Sequence, residues 1–286
     1  MKALAWALVG AVSLLLIGAV GLEVTERIVF PVWEPNFFTE SPGQAGEFPF
    51  FEKRTDLEKE IDGEKYGVNI FVPEGTAREV PAFFWVNGSN VQTYYHQSLH
   101  ETMASWGYLV VVPDTPPFSF TDLDYHKVIL EVTSEALSTA KRGGFGVNVD
   151  EDRIAAGGYS VGASLAAFTA AENPEVSTLV FWAPSGAPYW LGVNGDELYS
   201  RVTGSALYVL GEFDDSAPPE GGYPATMMKL TPGLNSEVFV VEGGNHHNFQ
   251  QPTGGEGFAR SSEIPRFEQQ RIAINKTRRW LGEKLQ

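Results

Sequence analysis

The chain has 286 residues, of which 36 are acidic and 20 are basic, so its formal net charge is −16. Proteins that bind nucleic acid need clustered Lys and Arg to displace the counterions of the phosphate backbone, and this charge balance excludes such a partner. The 43% share of hydrophobic residues is enough for a sizeable core. The absence of Cys excludes disulfides, thiolate nucleophiles and thiolate metal sites.

The N-terminus carries an uncharged run at residues 3–22, between Lys2 and Glu23. A membrane-spanning helix needs about 20 apolar residues, whereas a cleavable signal usually has about 7 to 15. Length therefore favours a membrane anchor, while Ala19-Val20-Gly21 resembles a signal cleavage site. We expect residues 1–22 to be a signal peptide or an anchor, and the rest of the protein to be exported.

After residues 1–22, the sequence predicts an N-terminal arm and then one domain. Residues 23–50 are rich in Pro, Gly and aromatic residues without any periodicity, and they are predicted to form a linker or N-terminal arm before a domain at residues 51–286. An alternating pattern around Asp62-Gly63 predicts a β-hairpin over residues 51–73.

The pattern then changes to short, continuous apolar runs, as expected for strands buried on both faces: residues 81–86, 108–112, 154–158, 177–182, 206–210 and 237–241. Helix-length segments lie between these runs, at residues 94–106, 124–142 and 164–172. This alternation predicts the α/β class, a mostly parallel sheet with helices on both faces. A packed terminal helix is predicted from residues spaced three or four apart: Ile264, Phe267, Arg271, Ile274, Arg278, Leu281 and Leu285.

The run at 154–158 leads into Gly158-Tyr159-Ser160-Val161-Gly162, a G-x-S-x-G motif between a predicted strand and a predicted helix. A sharp turn of this kind forces the serine into strained dihedrals, and side chains two residues away on either side would collide. The sharp turn therefore explains why glycines stand at these two positions. Ser160 is a candidate nucleophile, raised above the sheet at a helix N-terminus.

Two later strand ends supply the partners that a serine nucleophile needs. Asp214 and Asp215 follow one apolar run, and His246 and His247 follow the next. A serine hydroxyl attacks only when a base takes its proton, which an imidazole does when a carboxylate orients it. The spacing from Gly211 favours Asp214, with Asp215 as the alternative.

On these residues, and over roughly residues 56–285, the chain resembles the α/β-hydrolases. It is most similar to cap-less esterases and lipases of the dienelactone-hydrolase and cutinase-like polyester-hydrolase type. The segments that carry the resemblance, besides the G-x-S-x-G motif, are Asn87-Gly88-Ser89, residues 104–111, residues 149–154 and Gly244-Asn245-His246. The resemblance implies Ser160 as nucleophile, Asp214 as acid and His246 rather than His247 as base.

The resemblance also implies an oxyanion hole made by the backbone N–H groups of Ser89 and Val161. The 23 residues at 183–205 between the sixth and seventh strands are too few for a helical cap, so we expect an open site. The predicted substrate contacts are aromatic residues near the strand ends: Tyr94, Tyr159 and Trp190.

The predicted function is hydrolysis of small or polymeric carboxylic esters through an acyl-enzyme, by a monomer without a cofactor. The alternatives are an amidase, peptidase or acyltransferase with the same triad, and a non-catalytic binding protein of the same fold. His96 and His100 lie one helical turn apart, but no carboxylate completes a ligand set, so no metal site is expected.

Overall fold

The alternation of apolar runs and helical segments produces one eight-stranded sheet in the computed structural model, which describes residue 43 and residues 45–76, 79–114, 123–185, 195–251 and 261–285. Its strands are β1 (Phe50–Ile61), β2 (Glu64–Pro73), β3 (Val80–Val86), β4 (Leu109–Asp114), β5 (Val149–Tyr159), β6 (Val176–Trp182), β7 (Thr203–Gly211) and β8 (Gly233–Val241). Their order across the sheet is β1-β2-β4-β3-β5-β6-β7-β8.

The first two strands form the predicted hairpin, and Asp62 and Gly63 both have positive φ in its turn. β2 is antiparallel to β4, and every later pairing is parallel. The carboxyl ends of the parallel strands therefore meet along one edge, where ligands bind in open α/β sheets. The predicted α/β class with a mostly parallel sheet is confirmed.

Helices connect the strands and cover both faces of the sheet. Within the described residues they are α1 (Gln97–Ser105), α2 (Leu123–Lys141), α3 (Val161–Glu172), α4 (Gly195–Ser200), α5 (Gly222–Leu230) and α6 (Arg266–Lys284), with 3-10 turns at Thr93–His96 and His247–Phe249. Alternate residues of β3 enter two separate cores. Phe84 packs with α2 and α3, whereas Phe83 and Trp85 pack with α1 and α6.

Several helix boundaries in the structure differ from those predicted from the sequence. The helix predicted at 164–172 begins at Val161, directly after Ser160, and the segment 94–106 divides into a 3-10 turn and α1. The stripe predicted for the terminal helix is partly wrong. Phe267 is 46% exposed, whereas the buried face of α6 includes Gln269. The glutamine is buried there because its side-chain amide hydrogen-bonds the backbone of Asn245 in the neighbouring loop.

All described residues belong to one compact unit, Ser41–Gln286. The described end of the predicted arm packs on this unit, since the N–H groups of Gly46 and Phe48 donate to the hydroxyl and the carbonyl of Ser105. Residues 1–22 lie outside the described residues, and so does the prediction of a signal or anchor. Among the described helices, none has the length and apolar character required to cross a membrane.

Candidate active site

Ser160 occupies the turn between β5 and α3, with φ of 56° and ψ of −125°. A residue with a side chain rarely adopts a positive φ, and such strain persists only where the surrounding structure enforces it. A Cβ atom on Gly158 would overlap the carbonyl oxygen of Gly162, and one on Gly162 would overlap the carbonyl oxygen of Val86. The two glycines therefore allow the close packing that holds Ser160 above the sheet edge.

A chain of hydrogen bonds runs from Ser160 through His246 to Asp214. The Oγ atom of Ser160 lies 3.3 Å from Nε2 of His246, and Nδ1 of the same ring lies 2.8 Å from Oδ2 of Asp214. Asp215 is exposed, and His247 lies beside His246 with ring centroids 5.5 Å apart. The structure thus brings together the three residues that the sequence singled out, from the ends of β5, β7 and β8.

Asp214 is buried, with only 2% of its surface exposed. Its Oδ1 atom accepts hydrogen bonds from the backbone N–H groups of Ser216 at 2.8 Å and Ala217 at 2.7 Å. A carboxylate without a proton only accepts hydrogen bonds, so the contact with Oδ2 requires His246 to carry its proton on Nδ1. Nε2 therefore presents a lone pair to Ser160, as a general base must.

The loop that carries His246 is held from two sides. The side-chain amide of Gln269 on α6 accepts from the N–H of Asn245 at 3.0 Å and donates to its carbonyl at 2.6 Å. Tyr159 donates its hydroxyl to the carbonyl of His246 at 3.1 Å, and the two rings lie 5.1 Å apart. Tyr159 is 2% exposed, so it offers almost no surface to a substrate and instead supports His246.

The loop after β3 lies against the serine turn. A Cβ atom on Gly88 would come within 3.1 Å of the Cβ atom of Ser160, and Ser89 follows directly in the chain. Asn87, at the start of this loop, accepts a hydrogen bond at 3.2 Å on Oδ1 from Nδ1 of the buried His96. The loop that carries the predicted oxyanion donor is therefore fixed to the 3-10 turn before α1.

Sequence reasoning missed Ser185, whose Oγ atom lies 2.6 Å from the Oγ atom of Ser160. Ser185 is the third residue after β6, at the same sheet edge as the other strand ends. Its position beyond a strand end was the one available signal. The turn that directs its side chain to Ser160 depends on a positive φ at Ala183, which no sequence rule indicates for alanine.

Two further residues were predicted as substrate contacts, Tyr94 and Trp190. Tyr94, in the 3-10 turn before α1, is half-buried and its ring packs on Tyr95 with centroids 4.3 Å apart. Trp190 lies outside the described residues.

A search of the described residues finds no group of three or more His, Asp or Glu that could hold a metal ion.

Comparison with protein-family models and with curated protein sequences gives no match. Among solved structures, the fold is similar to that of an acylaminoacyl peptidase from Pyrococcus horikoshii, with a TM-score of 0.62 at 14% sequence identity. The match covers 82% of this chain and 42% of that chain. This protein has the α/β-hydrolase fold. It spans less than half the length of the peptidase that it resembles.

The segment between β6 and β7 was predicted to be too short for a helical cap. Here its described residues contain α4, a helix of six residues, and residues 186–194 lie outside the described part of the chain. The expectation of an open site without a cap therefore stays a prediction.

Proposed function

We propose that this protein is a serine hydrolase that cleaves carboxylic esters through an acyl-enzyme on Ser160. The observation that carries the proposal is the hydrogen-bonded chain from Ser160 through His246 to the buried Asp214, built at a strained turn on the ligand-binding edge of the sheet. A serine, a base and an orienting carboxylate in this order are the parts that acyl transfer to a hydroxyl requires.

In the first step, Ser160 Oγ attacks the ester carbonyl carbon while its proton passes to Nε2 of His246. The imidazolium that forms is stabilised by Asp214, which is 2.8 Å away and keeps its own negative charge. The tetrahedral intermediate then collapses, and the leaving alkoxide takes the proton from Nε2. The alcohol departs and the acyl group remains on Ser160.

Backbone donors for the oxyanion are the N–H groups of Val161 and Ser89. Val161 is the first residue of α3, so its N–H has no acceptor within the helix, and the helix dipole favours negative charge at this end. Ser89 follows Gly88, which lies against Ser160. Such donors act on charge that appears only in the tetrahedral state, and each lowers the barrier by about 3 to 4 kcal/mol.

Deacylation repeats the same steps with water as nucleophile. His246 takes a proton from the water, which attacks the acyl carbon, and the proton then returns to Ser160 Oγ as the acid leaves. No cofactor or metal enters this sequence. An ester substrate is proposed because the motifs around Ser160 and His246 resemble those of cap-less esterases.

A second candidate function is cleavage of amide or peptide bonds by the same three residues. The likeness to the fold of an acylaminoacyl peptidase favours this candidate. The two functions separate in parallel assays of matched p-nitrophenyl esters and p-nitroanilides with the same acyl group. Ester turnover with no measurable anilide turnover supports the first function, and comparable rates on both support the second.

The test of the proposed function is Ser160→Ala, assayed on p-nitrophenyl esters of increasing chain length. We expect loss of turnover, because the variant lacks the hydroxyl that lies 3.3 Å from Nε2 of His246. The matched control is Ser200→Ala at an exposed position on α4, which should keep full activity. Wild-type turnover by a folded Ser160→Ala protein would refute the proposal.

Export through residues 1–22 is also part of the proposed function. The full chain expressed in a bacterial host should appear outside the cytoplasm, either in the membrane fraction or with a shortened N-terminus. A chain that begins at residue 23 should stay in the cytoplasm, and identical distribution of the two chains would contradict export.

A further inference from the structure

Ser185 is fixed against Ser160 by its own backbone. After β6 the chain turns at Ala183, which is fully buried, has φ of 44° and donates its N–H to the carbonyl of Val209 at 2.8 Å. Two residues later the N–H of Ser185 donates to the carbonyl of Ser160 at 3.2 Å. A buried alanine at positive φ marks a turn that the surrounding structure enforces. The hydroxyl of Ser185 is therefore held next to the hydroxyl of Ser160.

Ser160 Oγ has two hydrogen-bond partners, and its single proton can point to only one of them. Oγ of Ser185 is 2.6 Å away, which is a short O–H···O contact, and Nε2 of His246 is 3.3 Å away. Each serine hydroxyl carries one proton. Nε2 is an acceptor because Nδ1 holds the imidazole proton toward Asp214. When the proton of Ser160 points to His246, the proton between the two hydroxyls belongs to Ser185.

We propose that Ser185 is a further catalytic residue, whose hydroxyl donates a hydrogen bond to Ser160 Oγ and stabilises the negative charge that forms there during acyl transfer. This inference rests on the proposed function. As Ser160 gives its proton to His246, its oxygen becomes charged, and a hydrogen bond to a charged acceptor is shorter and stronger than one to a neutral hydroxyl.

The same contact acts in both halves of the reaction. In the acyl-enzyme, Ser160 Oγ is an ester oxygen, and it becomes charged again when the second tetrahedral intermediate expels it. Ser185 stabilises that leaving oxygen until His246 returns the proton. No bond to Ser185 forms or breaks, and its proton stays on its own oxygen throughout.

A hydrogen bond donated in the opposite direction, from Ser160 to Ser185, predicts the opposite change in rate. If Ser160 donated its proton to Ser185 in the resting enzyme, that proton would be withheld from His246. Removal of the Ser185 hydroxyl would then free Ser160 and raise the rate. The direction of the change in rate therefore separates a donor from a competitor for the Ser160 proton.

The experiment compares Ser185→Ala and Ser185→Thr with the wild type and with the control Ser200→Ala. It uses the p-nitrophenolate burst for acylation, the steady state for deacylation, and the rate of labelling by a fluorophosphonate. We expect Ser185→Ala to slow acylation, deacylation and labelling by about tenfold to a hundredfold each, with little change in KM or melting temperature. Ser185→Thr keeps a hydroxyl and should recover most of the rate.

Failure of the role proposed for Ser185 can be distinguished from failure of the proposed function. If Ser160→Ala abolishes turnover while Ser185→Ala leaves all three rates unchanged or raises them, Ser185 is not a catalytic donor and the proposed function stands. A rate loss in Ser185→Ala that Ser185→Thr does not recover, accompanied by a lower melting temperature, would make the residue structural and would overturn the inference. If Ser160→Ala itself keeps activity, the proposed function fails first.

Discussion

Gln269, on the terminal helix, binds both backbone groups of Asn245, the residue before His246. Its Oε1 atom accepts from the N–H at 3.0 Å, and its Nε2 atom donates to the carbonyl at 2.6 Å. Gln269 is fully buried, and both backbone groups would lose these hydrogen bonds without it. α6 therefore takes part in placing His246, although it contributes no group to the hydrogen-bonded chain with Ser160.

Replacement of this amide should reduce both stability and activity. Gln269→Leu removes two hydrogen bonds to the backbone of the buried Asn245, at a cost of about 1 to 3 kcal/mol for each. We expect a lower free energy of unfolding in urea and a lower kcat, because His246 loses its fixed position. Gln270→Leu is the matched control, since this neighbour is also buried but does not bind Asn245. Equal kcat losses in both variants would contradict a specific role for Gln269.

Asp214 and Asp215 allow a test of the carboxylate within one loop. Asp214→Asn can still accept from Ser216 and Ala217, but its amide group favours the wrong tautomer of His246. We expect kcat to fall by about 10³ to 10⁴-fold with little loss of stability. Asp215→Asn, at an exposed position, should keep wild-type kinetics. A large loss in Asp215→Asn with an active Asp214→Asn would reverse the assignment.

The turn at Ser160 should not tolerate a larger residue beside it. Gly158→Ala and Gly162→Ala each force a methyl group onto backbone carbonyls, and we expect low solubility or loss of at least about 2 kcal/mol of stability. Gly282→Ala on α6 meets no neighbour and should instead stabilise the protein by about 0.5 to 1 kcal/mol, because alanine favours helix. Thermal unfolding of the three variants checks both signs, and a neutral Gly162→Ala would contradict the close contact with β3.

Acid should destabilise the fold through two buried histidines. Burial lowers the pKa of His96 to about 3 and lowers the pKa of His100 well below its usual value. In the unfolded chain both titrate near 6.5, so below that pH the unfolded state binds more protons. The stability that depends on these groups is complete above about pH 6.5 and falls as the pH drops below that value, by roughly 1 kcal/mol per pH unit for each histidine.

The measurement is the free energy of unfolding in urea between pH 7 and pH 4, for the wild type and His100→Phe. His100 packs against Phe71 with ring centroids 5.2 Å apart, and neither of its ring nitrogens has a hydrogen-bond partner among the described residues. A phenyl ring at this position therefore removes no hydrogen bond to the described residues. The difference between the two proteins removes the contribution of the carboxylates, and the variant should have the shallower slope. Identical slopes would contradict the assignment to His100.

Most of the fold and the central residues of the candidate site follow from local rules. Strand ends in a parallel sheet share an edge, so the residues at 160, 214 and 246 meet once the strand order is known. Ser185 does not follow from such rules, because its position depends on an unusual φ at Ala183. The role of Gln269 could not be predicted from the sequence either. The spacing of apolar residues predicted that Phe267 lies on the buried face of the terminal helix. The buried face instead contains Gln269, whose side-chain amide hydrogen-bonds the backbone of Asn245.

Mass-spectrometric mapping of the full chain after labelling with a fluorophosphonate identifies the nucleophile of this protein. We expect one adduct, on Ser160, that is absent in Ser160→Ala and forms much more slowly in His246→Ala. An adduct on another residue, or a wild-type protein that hydrolyses p-nitrophenyl esters without any label on Ser160, would contradict this prediction.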